Sequence, residues 1–156
     1  MQLPNNKKIY FTSDQHFGAP TPELSFPREQ KFVAWLDEVK GDAEAIFLLG
    51  DLFDFWFEYK TVVPKGFIRV LGKLAEIRDS GIPIYFFVGN HDLWMADYFQ
   101  KELNIPVFHD NQEFTFGDKT FLIGHGDGKG PGDLGYKRMK KIFTNPFFKW
   151  LFRWLH

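Results

Sequence analysis

Apolar residues along the chain alternate between two periods. Ile9–Thr12 is a short β-rich run, after which Phe32, Val33, Leu36 and Val39 recur at helical spacing over residues 28–40. Ala45–Leu49 is continuously apolar, the pattern of a strand buried on both faces. Phe67, Val70, Leu71, Leu74 and Ile77 predict a second helix, with Gly81 at its stop and Pro83 just beyond. Ile82–Val88 reads as another buried strand, and a helix is expected over 93–103. Glu113–Phe116 and Lys119–Ile123 flank Gly117–Asp118, the mark of a hairpin. The Pro-rich stretch Pro20–Pro27 reads as loop. Strand, helix, strand, helix, strand, helix and hairpin make an α/β domain, a sheet core flanked by helices.

Composition narrows the chemistry. The chain has 156 residues and no cysteine, so disulfides, thiolate metal sites and Cys nucleophiles are excluded. A reducing compartment fits, and the cytoplasm is the expected location. Met1–Lys8 is polar and lacks an apolar signal core, and no apolar run is long enough to span a membrane. The net charge of −1 hides an asymmetry. Every acidic residue lies at or before Asp133, whereas Lys137–His156 holds only basic charges. The expected organisation is a core over residues 1–134 and a basic, aromatic helical lid or membrane-facing insert over 135–156. Nucleic acid is not an expected partner.

The candidate chemistry lies where the strands end. Asp14 and His16, Asp51, Asn90 and His91, and His125 and Asp127 each follow directly on an apolar run. Ligands of α/β sheets collect at the carboxyl ends of the strands, so these loops should converge. Carboxylate oxygens, imidazole nitrogens and an amide oxygen suit divalent metals of intermediate hardness. A single Asp or His at a strand end is more often a cap or turn residue. Four such loops in succession are not explained that way.

The set Asp14-Gln15-His16, Gly50-Asp51-Leu52-Phe53-Asp54, Gly89-Asn90-His91-Asp92 and Gly124-His125-Gly126-Asp127 resembles the calcineurin-like metallophosphoesterase family. The resemblance runs from residue 8 over nearly the whole chain. It implies a centre of two divalent cations, manganese being the expected metal. Asp14 and His16 would bind the first cation, Asp51 would bridge, and Asn90 and His125 would bind the second. His91 would contact the phosphate and protonate the leaving group. Asp92 either orients His91 or caps the next helix, capping being favoured. Asp54 is either a partner of the site or a turn residue. The family's final Gly-His-Thr-His motif does not occur in this chain, which leaves each cation one protein ligand short. The C-terminal part of the family fold is therefore expected to lie outside this chain, and the chain alone is expected to bind metal weakly and turn over little.

Within the family, Gly50–Trp56, Gly89–Trp94 and His125–Asp127 are most similar to the branch that cleaves the pyrophosphate of UDP-2,3-diacylglucosamine in lipid A synthesis. His91 stands where the better-known members of that branch have arginine. The resemblance implies a lipid-linked nucleotide sugar as substrate, with Asn90, His91, Lys137 and Lys141 contacting it. It also implies peripheral contact with the inner membrane. Phe147, Phe148, Trp150, Leu151, Phe152, Trp154 and Leu155, interleaved with Lys149 and Arg153, carry the composition of an interfacial segment. The plainer alternative is a helix whose aromatic face packs on protein. Another cytosolic metallophosphoesterase acting on nucleotides or phosphodiesters, and a catalytically incomplete fragment, stand as alternative functions. Trp56 and Phe57 are expected in the core.

Overall fold

The computed structural model of the chain describes residues 4–59, 61–127 and 142–153. Its elements are β1 (Lys8–Thr12), α1 (Pro22–Val39), β2 (Ala43–Leu48), α2 (Ile68–Asp79), β3 (Ile84–Phe87), α3 (Tyr98–Leu103), β4 (Val107–Phe108), β5 (Gln112–Phe116), β6 (Lys119–Ile123) and α4 (Pro146–Arg153). The first four strands form a parallel sheet in the order β1-β2-β3-β4, and β5 and β6 pair as an antiparallel hairpin.

Strand alternation sorts the core into two layers. Ile46, Leu48, Ile84 and Phe86 face α1, α2 and α3, where they join Leu36, Val39, Val70, Leu74, Ile77 and Phe99. Their neighbours Ala45, Phe47 and Phe87 face the opposite way and pack against Phe116 and Ile123 of the hairpin. Aromatic rings carry much of this second layer. Phe47 stacks on Tyr85 at 4.8 Å and meets Phe114 edge-on at 4.9 Å. A strand order that follows the sequence, joined by right-handed crossovers, puts every crossover helix on one face. The hairpin takes the other face, so the helices cover one side of the sheet rather than both.

Three elements differ from the sequence-based expectations. The Pro-rich stretch is not loop, because α1 begins at Pro22. The side chain of Thr21 accepts from the Leu24 amide as the N-cap, and proline is preorganised for the first helical turn. Pro27 sits inside the helix, where its ring lacks the N–H that would bond one turn back. The helix expected over 93–103 is only α3, because residues 93–97 form an irregular connection. The two-residue β4 carries no periodicity of its own. It exists because Val107 and Phe108 pair with Phe86 and Phe87. Trp56 and Phe57 are core residues as expected, with the Trp56 indole donating to buried Glu58 at 3.0 Å.

Candidate metal centre

The loops that leave β1 and β2 stay zipped together past the ends of the strands. The amides of Asp14, His16 and Phe17 donate to the carbonyls of Gly50, Asp51 and Leu52 at 3.1, 2.9 and 2.9 Å. The Asp54 amide returns to the Phe17 carbonyl at 3.0 Å. This zipper holds Asp14, His16 and Asp51 at φ values of 58°, 46° and 54°. Left-handed conformations at residues other than glycine cost energy and persist only where surrounding structure imposes them. Three of them on candidate ligands mark these loops as shaped for a purpose other than stability.

Asp51 is the centre of the arrangement and is buried. Its Oδ2 faces His16 Nε2 at 3.7 Å and His125 Nε2 at 3.4 Å, while its Oδ1 accepts the His91 amide at 2.9 Å. His16 Nε2 also lies 4.0 Å from Asp14 Oδ1. His125 Nε2 lies 3.2 Å from Asn90 Oδ1. Asp51 Oδ2 is thus shared by two groups, Asp14 with His16 on one side and Asn90 with His125 on the other. The structure brings together the six residues singled out from the sequence: Asp14, His16, Asp51, Asn90, His91 and His125. Lys137 and Lys141 lie outside the described residues, as does the expected boundary at 134/135.

The donor set fits divalent cations. Atoms bound about 2.0–2.2 Å from one cation stand roughly 3–3.6 Å from one another. The separations around His125 match that range, and those around His16 are slightly longer. One ligand atom each from Asp14, His16 and Asp51 lie within 4.8 Å of one another. His125 is also oriented for ligation. Its Nδ1–H donates to the Leu49 carbonyl at 2.6 Å, which leaves Nε2 for the site.

Electrostatics tie the inner half together. Contact with the Asp51 carboxylate raises the His125 imidazole to about 9, against the opposing effect of its burial. Burial works to raise the Asp51 carboxyl, but His125 and the His91 amide outweigh it and hold the group below the usual carboxylate range. Glycine permits the close approach of these loops. A Cβ on Gly89 would lie 2.1 Å from Asp51 Oδ1, and one on Gly50 would lie 2.7 Å from His125 Nδ1.

His91 lies on the open side. Its Nδ1 is 3.0 Å from the Asp54 carbonyl and 3.3 Å from Asp54 Oδ1. Asp54 Oδ1 is also 3.5 Å from His16 Nδ1, so Asp54 touches both histidines and is a partner of the site rather than a bare turn residue. Asp92 neither caps a helix nor touches the His91 ring. Its carboxylate turns inward and accepts the Gly89 amide at 2.6 Å and the Leu52 amide at 3.1 Å. The residue preceding α3 is Asp97.

The sequence reading missed what adjoins His91. A pocket of about 350 Å³ is lined by Asp54, Phe55, Asn90, His91, Leu93, Trp94 and Phe143. Its wall is aromatic, with Trp94 packed between Phe55 at 5.8 Å and Phe143 at 5.3 Å. The Trp94 indole donates to the Phe143 carbonyl at 2.6 Å, which ties the segment leading into α4 to the loop after β3. The signal available in the sequence was the pair Phe55 and Trp94, each beside a polar motif.

Parallel strands thus bring to their carboxyl ends a shared carboxylate flanked by two histidine groups, a donor set suited to divalent metals. The calcineurin-like phosphoesterase family model matches residues 7–155, and the chain belongs to that family. Relatives include a UDP-2,3-diacylglucosamine hydrolase from Porphyromonas gingivalis, 42% identical over 150 residues. That match covers 96% of this chain and 57% of the relative. The protein of the same name from Edwardsiella ictaluri is 32% identical, the match covering 92% of this chain and 53% of the relative. The chain thus spans little more than half the length of these relatives. The crystal structure of a protein of unknown function from Aquifex aeolicus shares the fold, with a TM-score of 0.55 and 20% identity over 92% of this chain and 74% of that one.

Proposed function

We propose that the whole protein is a two-metal hydrolase that cleaves the pyrophosphate of UDP-2,3-diacylglucosamine to UMP and a lipid monophosphate. The observation that carries the reading is the single oxygen, Asp51 Oδ2, that faces His16 on one side and His125 on the other. Two cations a few ångströms apart need a shared anionic ligand, and the Asp51 carboxylate would supply it. Asp14 and His16 would complete the first cation's protein ligands, and Asn90 and His125 the second's. Manganese suits the mixed set of carboxylate, amide and imidazole donors. When bound, the two cations polarise the phosphoryl oxygens and lower the pKa of the attacking water.

The remaining work falls to the chain's own residues. The Asp54 carbonyl accepts from His91 Nδ1–H, so the proton available for transfer is on Nε2. The imidazolium form of His91 would donate that proton to the departing oxygen and be left as the neutral imidazole with its hydrogen on Nδ1. Asn90 and His91 both border the apolar pocket, so a phosphate at the metals can leave an apolar substituent against Phe55, Trp94 and Phe143. The identity with proteins named UDP-2,3-diacylglucosamine hydrolase supports a lipid-linked nucleotide sugar as the substrate.

The same reading gives α4 a role. Phe147, Phe148, Trp150 and Leu151 are all exposed, and such a face suits the headgroup boundary of a bilayer. Among the described residues no helix is long and apolar enough to cross a membrane. Contact at the inner membrane would therefore be peripheral, beside a lipid substrate, with Lys137 and Lys141 meeting phosphate groups.

Release of UMP from UDP-2,3-diacylglucosamine by the whole protein with added manganese tests the proposal. Manganese-dependent release supports it. Turnover of simple phosphodiesters without release of UMP would move the substrate to the soluble alternative. No manganese-dependent hydrolysis of any phosphate ester would overturn the enzyme reading. The chain spanning residues 1–156 is expected to be much the weaker catalyst in the same assay.

A further inference from the structure

Beyond their last paired residues, Leu48 and Phe86, the chains leaving β2 and β3 are joined through side chains rather than a ladder. Two of those joints are reciprocal. Asp51, on the β2 loop, accepts the backbone amide of His91 on the β3 loop at 2.9 Å. Asp92, on the β3 loop, accepts the backbone amide of Leu52 on the β2 loop at 3.1 Å. The second oxygen of Asp92 accepts the Gly89 amide at 2.6 Å, which closes the β3 loop on itself. Asp92 has no solvent exposure, and both of its oxygens are used.

Stability alone is a poor account of this joint. A buried carboxylate is costly to desolvate, and an apolar side chain of similar volume is often at least as stabilising. What the carboxylate supplies instead is direction, two acceptor oxygens at a fixed spacing that set where two backbones lie. The clearance at this joint is small, since a Cβ on Gly89 would lie 2.5 Å from the Asp51 amide nitrogen.

We propose that Asp92 is a positioning residue that fixes the distance between Asp51 and Asn90, and so makes the second cation's site. The inference rests on the two-metal reading above. Asp14, His16 and Asp51 lie on the β1 and β2 loops, whose zipper is made by backbone groups and meets the Asp92 joint at Leu52. Asp51 and Asn90 lie on opposite sides of the Asp92 joint. Loosening that joint therefore acts on one cation and leaves the other.

The test is a manganese titration of the whole protein, followed by equilibrium dialysis and by the EPR signal of coupled manganese pairs. Wild type is compared with Asp92→Asn and Asp92→Ala, and the melting temperature of each is recorded without metal. Asparagine keeps one acceptor oxygen and turns an amide NH2 towards the other backbone N–H, so it breaks half of the joint with little change of volume. The expected result is a loss of the coupled signal, with the second cation bound about 10–100-fold more weakly, the usual range for a partner behind a ligand. The first cation should keep its affinity to within about threefold, well under that same range.

Equal weakening of both cations would overturn the proposal, as would unchanged binding of both with a lowered melting temperature. Failure of both variants to fold would also overturn it, by making Asp92 a residue of general stability. Failure of the two-metal reading looks different, since wild type itself would then take up fewer than two cations.

Discussion

The two halves of the site are built differently. Asp51, His125 and Asp92 form an inner half, buried or nearly so, with short contacts to backbone: 2.6 Å from His125 to Leu49 and from Gly89 to Asp92, and 2.9 Å from His91 to Asp51. Asp14, His16, Asp54 and His91 form an outer half, with side chains 57, 30, 42 and 39% exposed. Contacts between its side chains run from 3.3 to 4.0 Å. The inner half is already set by the fold. The outer half leaves room for cation and substrate to draw its side chains in, and catalytic contacts that are loose in a free enzyme commonly tighten on binding.

The largest effect should come from Asp51, the inner-half residue that also faces His16 of the outer half. On the proposed two-metal reading Asp51→Ala would remove a ligand from both cations, so turnover of the whole protein should fall by more than the ~10–100-fold typical of a supporting residue. Metal analysis should show neither site filled. Asp14→Ala, confined to the outer half, should lose one cation and keep the other. Equal metal loss in the two variants would erase the distinction between the halves.

His91→Ala is next in size. It removes the proposed proton donor and no ligand, so the turnover rate should fall by about 100-fold or more with both cations retained. Loss of a cation instead would make His91 a ligand and move it to the metal-holding set.

How far these halves could be read from the sequence follows from how local their causes are. Asp14, His16, Asp51, Asn90 and His125 were legible because each follows an apolar strand in a polar turn, flanked by glycine at Asp51, Asn90 and His125. That local pattern survives in one dimension. The joint made by Asp92 was not legible, since its partner Leu52 is 40 positions away and leaves no mark on the residues around 92. The start of α1 was missed for the opposite reason. Its signal is local but two-sided, since proline breaks a helix interior, as at Pro27, yet is favoured in a first turn, as at Pro22 after the Thr21 cap. The two-residue β4 and the placement of the hairpin behind the sheet depend on pairing and packing between distant segments. The pocket needed Phe143, 49 positions from Trp94, to close over it.

The inner half should also be less tolerant of added bulk. Gly89→Ala puts a methyl group 2.1 Å from Asp51 Oδ1 and 2.5 Å from the Asp51 backbone nitrogen, which cannot swing aside, so about 1–3 kcal/mol of stability should be lost. For a domain of this size that lowers the melting temperature by roughly 2–4 °C per kcal/mol. Gly72→Ala in α2 is the control. Nothing lies within 4 Å of its added Cβ, and alanine there should stabilise by about 0.4–1 kcal/mol. Similar losses at both positions would mean that the tight approach of the loops is not what limits substitution.

The smallest effect is a titration, and it separates the metal-free inner half from the loaded one. Asp51 raises His125 from 6.5 to about 9. A base whose pKa is higher folded than unfolded contributes stability that is complete below about 6.5 and is lost as pH climbs towards about 9. The melting temperature of the metal-free protein should therefore drift down by a few degrees between pH 6.5 and 9, and His125→Gln should flatten the drift. A cation at Nε2 must displace the same proton. At pH 7.5 manganese binding should then release close to one proton per chain, read by calorimetry in two buffers of different ionisation enthalpy. Release of no proton would mean that His125 is already neutral before metal arrives, and the inner half would then owe its geometry to the Leu49 carbonyl and the Asp92 joint rather than to an ion pair with Asp51.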